Sequence, residues 1–203
     1  MALMPARTQK RLYEIGSTGL ILCFAWLLQL TLLSVLSLKD VVASLPLTFT
    51  IIWGSIFGSP LQAPRPDELR LSTLGQVIAR QALSGSLSGA LVGAFFGALY
   101  ASVLPIYPVC YPLIGWVTGY FCLQNFNQAT FLCLPLVFLS TIFSESVMAL
   151  QLHLMGRPEV LQNLAQVALP EAALNSLIAP FIFFPMRGWY HFATNAHESN
   201  QSS

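Results

Sequence analysis

Apolar runs alternate with short polar or proline-bearing segments along most of this chain. A helix needs about 20 mostly apolar residues to cross a bilayer. By that measure the pattern predicts about six crossings. The first covers about Gly19–Leu38 and the second about Val41–Gly58. The third covers about Gln81–Leu104, long enough to cross with some tilt. The fourth is short, about Cys110–Leu123, and Pro105, Pro108 and Pro112 predict an extended approach to it. The fifth covers about Phe131–Leu152 and the sixth about Pro170–Tyr190. The expected fold is all-α: a polytopic membrane protein with six transmembrane helices in one bundle.

Within the third run a small residue recurs at every fourth position: Gly85, Gly89, Gly93, Gly97 and then Ala101. The residues between are mostly apolar. In lipid there is little hydrophobic drive for helices to associate, so close backbone approach and packing must supply it. Glycine permits that approach, yet each one weakens a helix by roughly 1 kcal/mol relative to alanine. A ladder of them predicts a tight helix–helix seam, either within the bundle or between subunits.

Composition agrees with a membrane class. Hydrophobic residues make up 55% of the chain and charged residues 8%, where soluble domains carry about 25% charge. Mean hydropathy is +0.67. The net charge of +1 offers no electrostatic footprint for nucleic acid. Position of charge says more than its sum. Arg7, Lys10, Arg11, Arg65, Arg70, Arg80 and Arg187 fall on one side of a six-crossing arrangement; only Lys39 and Arg157 fall on the other. Basic residues concentrate on the cytoplasmic side, which places both termini there. Residues 1–18 then form a cytoplasmic N-terminal segment, residues 19–192 the six-helix domain, and residues 193–203 a polar, disordered cytoplasmic tail. A cleaved signal peptide ending near Val41, Val42 and Ala43 is the competing reading of the start. The first apolar run exceeds the usual 7–15-residue signal core, so it is read as an uncleaved span.

Two connecting segments carry patterns of their own. Thr73 and Gln76 are spaced as a capping box before the third run. Leu71, Leu74 and Ile78, with Arg70 and Arg80, suit either a short segment at the headgroup level or a plain connector. In the loop before the sixth run, Pro158 suits a first helical position and Glu159 complements a helix N-terminus. Leu161, Leu164 and Ala168 mark an apolar face opposite Gln162, Asn163 and Gln166. A short amphipathic helix ending before Pro170 is predicted, resting on the membrane or meeting a partner. Leu161, Leu164 and Glu171 are the candidate contacts, with Glu171 at the outer interface.

Ionisable groups inside a membrane are costly and face the bundle interior. Glu145 is the clear case, and Thr141, Ser144 and Glu145 share a helical face. Counted from the expected helix ends at 1.5 Å per residue, Glu145 lies roughly 10 Å deep and Asn175 roughly 7 Å. A Glu145–Asn175 hydrogen bond is therefore expected. Its role is either interhelical adhesion by a protonated acid or a proton-relay or ligand function. Pro180 should kink the sixth run by freeing the carbonyl of Ser176. The four cysteines, Cys23, Cys110, Cys122 and Cys133, lie in or beside apolar runs with no metal-ligand spacing, and read as small buried hydrophobes. No nucleophile-elbow, phosphate-loop or zinc-protease motif occurs. No catalytic residue, metal or cofactor is expected.

A family resemblance rests on the order of these features: two apolar spans, a glycine-rich third, Gly115-Trp116-Val117-Thr118-Gly119-Tyr120 in the fourth, an acid in the fifth, and a sixth that opens with Leu169 and Pro170 and continues through Asn175 to Pro180 and Arg187. Over about Leu45 to Arg187 the chain resembles the bacterial rod shape-determining MreD family. That resemblance implies a non-enzymatic inner-membrane subunit of the cell-elongation machinery, which organises lateral peptidoglycan synthesis. Its implied partners are the periplasm-facing MreC, the actin-like MreB and the wall synthases, with membrane lipid around it and no nucleic acid. The family often closes its glycine-rich span with an acid. Tyr100, Ala101 and Ser102 stand there in this chain, so that acid's role does not carry over. The alternative is the substrate-binding subunit of a vitamin-type transporter, which needs a polar, aromatic-lined pocket. Trp116, Tyr120, Glu145 and Asn175 are its candidates.

Overall fold

The computed structural model describes residues 19–21, 23–33, 37–38, 41–58, 75–76, 87–121 and 130–199. Among them the architecture is helical apart from one small hairpin. Helix α1, Gly19–Thr31, passes into a π-helical turn, Gln29–Leu33. Strands β1 (Ser37–Leu38) and β2 (Val41–Val42) pair antiparallel, Ser37 opposite Val42 and Leu38 opposite Val41. Helix α2 covers Leu45–Phe57 and α3 covers Leu87–Leu99. Helix α4, Tyr107–Thr118, tightens into a 3-10 turn at Gly119–Phe121. Helix α5 covers Thr130–Leu154, α6 covers Pro158–Gln162 and α7 covers Leu164–Ser199.

Two stretches, Leu132–Leu154 and Leu164–Trp189, are long and apolar enough to cross a membrane. Helices α1, α2 and α3 are apolar but shorter. At 1.5 Å per residue, a 13-residue helix such as α2 or α3 reaches only about 20 Å of the ~30 Å hydrocarbon core.

Several expected boundaries move. The second apolar run begins as strand, because Val41 and Val42 are β-branched and suit a hairpin. Helix α2 starts only where Pro46 can occupy its first turn. Pro108 and Pro112 do not hold the chain extended; Pro108 sits in the first turn of α4 and Pro112 inside it. Nor does a helix end before Pro170. The break comes at Asn163, and α7 runs through Pro170, Pro180 and Pro185. The residues buried along α7 are Ala168, Ala172, Asn175, Ala179, Phe183 and Met186, at helical spacing across both Pro170 and Pro180. Continuous packing of that face outweighs the hydrogen bond each proline removes. At its far end α7 continues to Ser199, through positions the sequence pattern assigned to a tail. The proposed capping box at Thr73 and the arginine-flanked segment around it lie outside the described residues, Gly75 and Gln76 excepted.

Helix α2 is the centre of the bundle. Every residue from Pro46 to Ile56 is buried, as expected of a helix that is apolar all round. It touches α3, α4, α5 and α7. Around it, α3 pairs with α4 and α5 pairs with α7. Phe49, Trp53 and Phe57 form a ladder of rings along α2, which Phe96 of α3 and Trp189 of α7 join from the sides.

Candidate functional site

The glycine ladder faces inward. Gly89 packs on Gly115, Gly93 on the Tyr111 carbonyl and Gly97 on the Tyr107 carbonyl, an antiparallel register that advances four residues at each step. A Cβ built on Gly97 would lie 2.6 Å from the Tyr107 oxygen. The seam extends to α2, where a Cβ on Gly54 would lie 2.6 Å from the Gly115 oxygen, and Gly58 abuts Gly119. Three helices thus meet backbone to backbone within one chain. Gly85 lies outside the described residues. Ala101 is not a rung: α3 ends at Leu99, and Ala101 sits exposed in the following turn.

At the hairpin end of the bundle, polar groups converge on the start of α2. A helix N-terminus leaves backbone N–H groups without intrahelical partners. Ser44, the residue before α2, makes no side-chain cap of its own. Two amides from other helices serve instead. The Ser44 N–H donates to Asn175 Oδ1 of α7 at 2.7 Å, and the Leu45 N–H donates to Gln29 Oε1 of α1 at 2.7 Å. Pro46 has no N–H to satisfy. Gln29 Nε2 also donates to the Ala43 carbonyl at 2.9 Å, so this one side chain ties α1 to both sides of the bend.

Asn175 is fully buried. Its Nδ2 donates to Thr141 Oγ1 at 3.2 Å, and Thr141 Oγ1 donates to the Val137 carbonyl at 2.8 Å. The side chain therefore joins α2, α5 and α7. Nearby, the Ser44 and Tyr111 hydroxyls lie 3.4 Å apart, and Cys110 Sγ lies 3.7 Å from Ser144 Oγ. Ser176 Oγ makes a second α7–α5 link by donating to the Leu134 carbonyl at 3.2 Å.

The expected Glu145–Asn175 bond is not formed. The Thr141–Asn175 bond fixes the antiparallel register of α5 and α7. One turn further toward the hairpin end, Glu145 comes level with Glu171, and the two carboxyls are close enough to interact electrostatically. Both also lie near Tyr107 and Tyr111. Because α7 begins at Leu164, Glu171 lies about 10 Å along the helix axis rather than in its first turn. Of the other contact candidates, Leu161 is exposed on the short α6 and Leu164 is half-buried at the start of α7.

Gln29 escaped the sequence reading. The signal was available, since Gln29 is the one carboxamide in an apolar run whose other polar side chains are the small hydroxyls Thr31, Ser34 and Ser37. Replacing Gln29 with leucine should leave the Leu45 N–H without its acceptor. The expected loss is about 1–3 kcal/mol, the cost of one buried unsatisfied group, read as a lower unfolding midpoint in detergent.

The four residues suggested for a transporter pocket do not meet. Trp116 and Tyr120 stack edge-on, 5.7 Å apart, toward the opposite end of α4 from Tyr111. Among the described residues no group of three metal-binding side chains occurs. Cys110 and Cys133 are buried free thiols, as expected; Cys23 is exposed, and Cys122 lies outside the described residues. Comparison with family models, with curated proteins and with solved structures finds no match.

Proposed function

We propose that this chain is a non-enzymatic integral membrane subunit of the bacterial cell-elongation complex. It crosses the inner membrane six times with both termini in the cytoplasm. Its expected partners are an MreC-like periplasm-facing protein, an MreB-like actin homologue and wall synthases. The observation that carries the reading is the burial of Asn175. It belongs to the Leu169–Pro180 segment on which the MreD resemblance chiefly rests, and there it ties three helices together at one end of the bundle. A subunit that holds partners by its shape needs such a fixed end.

The hairpin, the turn after α3 and the α6 connection gather at that end. In the six-crossing arrangement this is the periplasmic face. The exposed apolar residues there, Val103, Leu154, Met155 and Leu161, suit a periplasm-facing partner or the outer headgroup layer.

Purification of the tagged protein from its native membrane in mild detergent, with mass spectrometry of what accompanies it, tests the proposal. The expected companions are a single-span periplasmic coiled-coil protein and wall synthases. Recovery of transporter ATPase subunits instead would overturn it.

A further inference from the structure

Helices α4 and α5 do not close against each other on the outer side of the bundle. A groove of about 310 Å3 lies between them, with Ile114 and Thr118 at its floor and Val117, Leu139 and Phe143 at its rims. Leu139 is 65% exposed and Phe143 49%. They stand one turn apart on α5 and form a ridge along the groove.

Ser140 also lines this groove, half-buried. Its hydroxyl is an exception in the molecule. The hydroxyls of Thr31, Thr48, Thr50, Thr141 and Ser146 each donate to the carbonyl four residues back. Those of Ser55 and Thr118 donate three residues back, Ser88 and Ser176 donate to a neighbouring helix, and Ser144 faces Cys110. Among the helical serines and threonines whose side chains are described, only Ser140 makes no hydrogen bond within the described residues.

Ser140 lies about 15 Å along α5 from Thr130. In the six-crossing arrangement that is near the middle of the ~30 Å hydrocarbon core. Water and head groups are out of reach there, and a hydroxyl finds its partner on another helix. An acyl chain in the groove offers it no acceptor. A hydroxyl both donates and accepts, so it is its own complement. Copies of one membrane protein share one orientation, and a twofold axis along the membrane normal sets each residue level with its equivalent. Ser140 then meets the partner's Ser140 at the same depth. The Leu139–Phe143 ridge of each copy enters the groove of the other, the reciprocal contact of a twofold interface.

We propose that the α4–α5 groove is the twofold interface of a homodimer, with Ser140 hydrogen-bonded to its equivalent at the axis. This rests on the membrane part of the reading above and on none of its partners.

Ser140→Cys in the full-length chain, with the four natural cysteines replaced, is oxidised by copper phenanthroline in native membranes. A disulfide needs Cβ atoms about 3.5–4.5 Å apart, so a linked dimer should form. Leu177→Cys is the control for chance collision. Leu177 is 67% exposed on α7, and the Thr141–Asn175 register sets it level with Leu139; it should link little. Ser140→Ala, a change that α5 accommodates without strain, should weaken dimerisation about threefold. That is the share of one average hydrogen bond between membrane helices. It is read by energy transfer between labelled copies on dilution into phosphatidylethanolamine–phosphatidylglycerol vesicles. No Ser140→Cys dimer, equal linking by Leu177→Cys, or capture of a different membrane protein by Ser140→Cys overturns the assignment. So does unchanged dimerisation in Ser140→Ala. Alkaline carbonate extraction separates the two levels of failure. Release of the unaltered protein would sink the membrane reading and the interface with it, whereas retention without linking would sink only the interface.

Discussion

Replacing Gly93 with leucine is expected to abolish the folded bundle. A side chain there would be driven into the Tyr111 carbonyl and Pro112 Cα, which are backbone atoms that cannot turn aside. Overpacking a core that can relax costs about 1–3 kcal/mol. Here relief requires moving α3 away from α4 as a whole, so a loss of about 3 kcal/mol or more is expected. Membrane yield should fall, and the remaining protein should elute as aggregate in size-exclusion chromatography. Gly115→Leu should behave alike from the other side of the seam, since its Cβ would meet Gly89 and also lie 2.9 Å from Thr50 Cγ2. Gly188 provides the control. It is helical with open space around it, so Gly188→Ala should be neutral or stabilise by about 0.4–1 kcal/mol. A monodisperse Gly93→Leu protein with an unchanged unfolding midpoint would remove the seam from the account of the fold.

The second large effect is expected at Asn175. In Asn175→Leu the Ser44 N–H loses its acceptor and Thr141 loses its donor, while the shape stays similar. Hydrogen bonds between membrane helices average only about 0.6 kcal/mol, because the separated helices find other partners. The Ser44 group differs, since it is a helix N-terminal N–H whose own side chain does not cap it. A buried unsatisfied group costs about 1–3 kcal/mol, so the total loss should be about 2–3 kcal/mol. Thr141→Val, which disturbs only the outer link, should cost well under half as much. Thermal unfolding in detergent checks both. Equal losses would mean that the Ser44 contact contributes little.

The glycine ladder was legible in the sequence because its period of four is set by helix geometry alone. Its partner surface was not. Tyr107 and Tyr111 meet the ladder through their carbonyls rather than their side chains, so residue type carries no signal of the contact. The polar cluster was legible in its members and wrong in its pairing. Depths counted from a helix assumed to begin at Pro170 set Glu145 beside Asn175. With α7 beginning at Leu164, the register pairs Thr141 with Asn175 and brings Glu145 to Glu171. The proline rule misled there because it is local, whereas the buried face running from Ala168 to Met186 is a property of the whole bundle. Gln29 was overlooked for the opposite reason. It caps a helix that begins sixteen residues later, beyond any local capping pattern.

If the chain crosses the membrane six times, the turn after α3 and the turn before α6 must face the same side, away from the cytoplasm. Single cysteines at Ser102 and Gly156, each in a background with the four natural cysteines replaced, measure this directly. Both should react with a membrane-impermeant maleimide in intact spheroplasts, while a cysteine at Ser203 should react only after lysis. Protection of either turn until lysis would contradict the six-crossing bundle and the periplasmic face that the proposed function requires.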